Sequence, residues 1–64
     1  MTLSEERKIR HQIALIKHVR VSSVLIFSIE EQTDGKSKVY ASVKGMRIGA
    51  LVSGERVLYI WRVV

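Results

Sequence analysis

Residues 7–20 read RKIRHQIALIKHVR, and the fold turns on how that stretch is arranged in space. Five of its residues are Arg or Lys and two more are His, threaded between Ile9, Ile13 and Ile16. No residue here breaks a helix. At about 100° per residue, the three isoleucines fall on one arc with Val19 at its margin. Arg7, Arg10, His11, Ala14, Lys17 and His18 fall on another. The spacing therefore predicts a helix of roughly four turns with an apolar face and a basic face.

Upstream lies a start signal. Thr2 and Glu5 have capping-box spacing, with Ser4 as an alternative cap. Glu5 and Glu6 would occupy the first turn, where the helix dipole favours anions, and the cations gather towards the other end.

Downstream the periodicity changes. VRVSSVLIFSIEE is rich in β-branched residues and reads as a strand from about Val21 to Glu31. Strict alternation would point Val21, Leu25, Phe27 and Ile29 one way, and Val24 and Ile26 the other. Asp34-Gly35 is the strongest short hairpin signal in the chain. A second strand, KVYASVK, places Val39, Ala41 and Val43 on one face and Tyr40 and Ser42 on the opposite one. Gly45 and Gly49 mark either a tight turn at Lys44-Gly45 or a bend in one long strand. The turn is the favoured reading and gives a third strand from Met46 to Val52. Ser53-Gly54 makes another turn before the final strand, ERVLYIWRVV. The expected architecture is α+β: one domain over residues 1–64, with an N-terminal helix packed on a three- to four-stranded antiparallel meander sheet.

The last strand poses a difficulty. Val57, Tyr59, Trp61 and Val63 are apolar on one side under strict alternation, and Leu58, Ile60 and Val64 on the other, with Arg62 the exception. One short helix covers only one face of a sheet. A chain of 64 residues is also too small to be generously stable alone. Without cysteine, disulfides and thiolate metal sites are excluded. A homodimer is the expected support, with Leu58, Tyr59, Ile60 and Trp61 as candidate interface residues and the C-terminal strand available for edge pairing.

Charge bears on the partner. The net charge is +5 and the pI about 10.1. The first twenty residues carry five Lys/Arg against two Glu, and the remainder six against four acids. Such a balance favours a polyanion. The candidate nucleic-acid contacts are Arg7, Arg10, His11, Lys17 and His18 on the helix, joined by Lys44 and Arg47. Neutralising about four phosphates would give a log–log salt slope of roughly −3 to −4. The competing reading is a solvated helix face. A second candidate surface combines Tyr40, Tyr59 and Trp61 as base-stacking groups with Lys38, Lys44, Arg47 and Arg56, although large aromatics commonly serve as core or interface.

Catalytic and metal motifs are missing. His11 and His18 stand seven residues apart, about 10 Å along a helix axis, too far to share one metal without other ligands. Gly35-Lys36-Ser37 resembles the end of a phosphate-binding loop, but Glu30 stands where that loop needs glycine, and a strand follows where it needs a helix. Glu30 and Glu31 would face opposite sides of a strand, and Ser22 and Ser23 have no identifiable base. The expectation is a small non-enzymatic nucleic-acid-binding or regulatory protein without cofactor. The alternative is an interaction module, an inhibitor or adaptor docking an acidic protein through its last strand or an apolar patch. No apolar run approaches the ~20 residues of a membrane span, and the lack of cysteine fits the cytoplasm.

Overall fold

The computed structural model describes residues 2–63. The chain forms helix α1 (Leu3–Lys17), a 3-10 turn (Val21–Ser23), and strands β1 (Val24–Glu31), β2 (Lys36–Val43), β3 (Met46–Ser53) and β4 (Arg56–Arg62). The strands pair antiparallel in the order β1-β2-β3-β4. The helix covers one face of this sheet, so the α+β meander expected from the sequence is the fold.

The local chemistry places each boundary. Thr2 caps α1: its hydroxyl accepts from the Glu5 amide at 3.2 Å and donates to the Glu5 carboxylate at 3.1 Å. At the other end His18 enters the left-handed region (φ 55°), and the Val19 amide returns to the Ala14 carbonyl at 3.0 Å. That reversal turns the chain back into the sheet. Lys44 and Gly45 both have positive φ (49° and 82°). This is the pattern of a type I′ two-residue hairpin, so the Gly45–Gly49 segment is a turn followed by a strand. Gly54 and Glu55 form the next turn, one residue later than Ser53-Gly54. Around Gly35 the connection is a three-residue loop, not a two-residue Asp-Gly turn. Only Gly35 takes positive φ, Asp34 accepts from the Lys36 amide, and the Gln32 amide donates to the Lys36 carbonyl.

The core is wholly aliphatic. Ile9, Ile13 and Ala14 from the helix meet Val24, Val39, Ala41, Val43, Ile48, Ala50 and Val52 from the sheet, and all are buried. Two irregularities decide which strand residues join them. Pairing runs from Ile26–Ala41 to Ser28–Tyr40, leaving Phe27 as an extra residue. Ile29 is thereby returned to the helix side beside Val24 and Ile26, contrary to strict alternation. In β4 the pairing runs from Val52–Val57 to Leu51–Tyr59, with Leu58 as the extra residue. Val57 and Ile60 consequently share the helix side, while Tyr59 and Trp61 share the other. A β-bulge shifts the side-chain alternation by one, and here it sorts the last strand into an aliphatic helix side and an aromatic open side. Ile60, a candidate interface residue from the sequence, is partly buried and packs against the core on the helix side. Val64, assigned a face from the sequence, lies outside the described residues.

The helix is rotated relative to the sequence expectation. Ala14, expected on the basic arc, is buried, while Ile16 is 52% exposed. The small Ala14 side chain lets the helix backbone approach the sheet, and the contact arc settles on Ile9, Ile13 and Ala14. Gln12 fixes the docking from the other flank. Its Oε1 accepts from the Val57 amide at 2.8 Å, and its Nε2 donates to the Glu55 carbonyl. Lys8 pairs with Glu55 at 2.9 Å beside it.

Candidate nucleic-acid interface

The rotation of α1 breaks up the basic helix face. Arg10 lies at the edge of the buried arc, with Nη2 3.5 Å from Glu6 Oε1, and its side chain is 34% exposed. Its Nε is buried without a partner. Arg10 thus differs from Arg7 and His11 in having a carboxylate neighbour and a less exposed side chain. Arg7 and His11 remain exposed on the outer side of the helix, where they line a shallow depression with Leu3, Ser4 and Lys8.

Lys17 and His18 belong to a different group. They end the helix and, with Lys44 at the β2–β3 turn, border a groove floored by Val19, Val43, Met46 and Ile48. None of the three pairs with a carboxylate among the described residues. Thus the structure joins Lys17, His18 and Lys44, separates them from Arg7 and His11, and sends Arg47 to the opposite side of the sheet.

That opposite side is the more distinctive surface. Strand register arranges it in rows. Ser28, Tyr40, Gly49 and Trp61 form one row. Glu30, Lys38, Leu51 and Tyr59 form the next. Leu25, Ser42 and Arg47 lie on the other flank, and Lys36, Ser53 and Arg56 close the far end. Gly49 has no side chain between Tyr40 and Trp61, and the indole fills the space. Tyr40 meets Trp61 edge-on with centroids 6.2 Å apart, and Tyr59 lies tilted at 5.7 Å. The Arg47 guanidinium sits over the Phe27 ring, 5.7 Å from its centroid. Phe27 is displayed here on the same side as Leu25, two residues before it, while the bulge sends Ile29 to the helix side.

All four aromatic side chains of the protein, Phe27, Tyr40, Tyr59 and Trp61, therefore share the face that the helix does not cover. Tyr59 is 58% exposed and Phe27 57%; Leu25 and Leu58 add exposed aliphatic surface. Lys38, Arg47 and Arg56 supply positive charge. Glu30, opposite Lys38 in the register, is the nearest acid on the platform. Phe27 was missed as a site residue because alternation grouped it with Leu25 and Ile29 as one apolar side, and nothing in the sequence showed that the helix leaves this side open. Trp61 and Tyr59 keep their places as contact candidates, with Leu58 exposed beside them.

β4 is an edge strand, as the sequence reading required. Gln12 already occupies its Val57 amide, which hinders strand addition at that end. Among the described residues, no group of three or more His, Asp or Glu is arranged to hold a metal, and no helix is long and apolar enough to cross a membrane. No protein-family model matches the chain, and comparison with curated proteins and with solved structures finds no match.

Proposed function

We propose that the protein binds single-stranded nucleic acid across the open face of its sheet, as a binding or regulatory protein without chemistry of its own. The supporting observation is the segregation of side chains. The core closes with Ile, Val and Ala alone, while every aromatic residue stands on the uncovered face among Lys38, Arg47 and Arg56. Aromatic rings are among the largest sources of burial energy in a small domain, yet here Tyr40 and Trp61 are only half-buried and Phe27 and Tyr59 are exposed. Flat rings interleaved with cations match a strand of unpaired bases. Each stacked base is worth about 1–3 kcal/mol, and the cations release counterions from the phosphates.

Relative to a helix-borne site, this reading moves the contact to the sheet. It retains a basic partner-seeking surface. The test is a titration with an oligothymidylate, monitored by Trp61, the protein's one tryptophan. Binding should quench its emission and weaken with salt, with a log–log slope of roughly −2 to −3 for three to four phosphates on a single strand. A salt-independent or absent response removes the proposal.

A second reading has its own observation. Leu25 is 65% exposed and Phe27 57%, and two copies mating these faces would also supply the support a small chain needs. Sedimentation over a range of concentrations separates the two. A dimer that dissociates when oligonucleotide is added supports the nucleic-acid reading. A dimer that ignores it assigns the face to self-association.

A further inference from the structure

We infer that the strand does not end on the sheet: its phosphates continue over the β2–β3 turn to Lys44 and Lys17, in the groove on the helix side. This rests on the sheet-face reading above and extends it to a second, purely electrostatic segment.

The geometry is a continuous path. Arg47 stands on the open face, opposite Ser42 and over the Phe27 ring. Three residues earlier, Lys44 projects from the turn that ends the sheet. An extended chain of that length reaches at most ~10 Å, and the turn makes the separation shorter. Beyond the turn, Lys17, His18 and Lys44 line one groove. Lys44 and Lys17 come from elements distant in sequence, and neither has a carboxylate partner among the described residues. Two ammonium groups lining one groove make it electropositive and attract an anion. The floor of Val19, Val43, Met46 and Ile48 offers nothing for a second protein's acids to bond but accepts the apolar face of a sugar or base. Charge complementarity and continuity with the aromatic platform therefore commit the groove to the same polyanion.

The experiment compares oligothymidylates of about 4 and about 12 nucleotides, lengths that span the usual single-strand site sizes, bound to the intact chain. Anisotropy gives affinity, Trp61 emission reports the sheet face, and sedimentation gives stoichiometry. The longer oligonucleotide should bind about tenfold more tightly to the wild type at one copy each. The double variant Lys17→Gln/Lys44→Gln should keep the affinity for the short one and its Trp61 quench. It should lose most of the length gain, and its salt slope for the long one should fall by about 1.4, two phosphates' worth. The inference is overturned if the double variant keeps the gain, if it weakens both oligonucleotides equally, or if the gain reflects two copies on one strand. A wild type that quenches with the short oligonucleotide but shows no length gain overturns this inference alone. A wild type that binds neither overturns the sheet-face reading as well.

Discussion

The Trp61 indole lies in the place where Gly49 lacks a side chain. A Cβ built on Gly49 would come within 2.7 Å of the indole Nε1 and closer still to the ring carbons. The φ of Gly49 is not in the positive region, so the glycine is required by this close approach and not by the backbone. The pair seats the indole between Tyr40, which meets it edge-on, and Tyr59, which lies tilted against it.

Gly49→Ala should therefore swing the indole off the sheet. The expected cost is about 1–3 kcal/mol, the range for overpacking a filled site, and the Trp61 emission should shift to the red. Urea unfolding and fluorescence spectra check both. An unshifted emission would show that the ring does not depend on the glycine.

Phe27→Ala and Tyr59→Ala address the same platform without touching the core. Each should leave the unfolding midpoint nearly unchanged, because both rings are more than half exposed. Each should weaken oligonucleotide binding by about 1–3 kcal/mol if it stacks a base. Full-strength binding by the double variant would direct attention back to Arg7 and His11.

Helix orientation is tested by a pair of matched substitutions. Ile13→Val removes one methylene group from a fully buried side chain and should cost about 0.5–1.5 kcal/mol. Ile16→Val, at a half-exposed position, should cost only a few tenths. Equal costs would favour the arc read from sequence periodicity, with Ile16 inside.

Gln12→Ala should cost about 1–2 kcal/mol. It removes the acceptor for the Val57 amide and the donor to the Glu55 carbonyl together. Lys8→Gln, which removes an ion pair whose members are 54% and 52% exposed, should cost under about 0.5 kcal/mol and only at low salt. Denaturant titrations at two ionic strengths distinguish the two effects.

Lys44→Asn should stabilise the chain by about 0.5–1 kcal/mol. Lys44 occupies the first position of a type I′ turn with φ 49°, where Asn before Gly is the preferred residue. His18→Gly should act similarly at the helix end, where φ is 55°. A higher urea midpoint with unchanged slope is the expected result for each.

The division between sequence and structure follows particular residues. Local chemistry alone announced the helix, a cap at Thr2 or Ser4, three or four strands and their meander order. Each of these depends on short-range periodicity or on the backbone freedom of a turn residue. The face of each side chain was not so accessible. A single bulge at Phe27 moved Ile29 inward, and another at Leu58 brought Val57 and Ile60 together on the core side. Bulges arise from cross-strand fit and leave no mark in a hydropathy pattern. The helix could be placed on the sheet, but its rotation could not: Ala14 displaced Ile16 because close approach of backbone to sheet outweighed the burial of one larger side chain. The basic composition was legible from the start. That it divides into a platform around Arg47 and Lys38 and a separate groove around Lys17 and Lys44 was decided only when distant segments came into contact. Charge is a property of the chain, whereas a surface is a property of its packing.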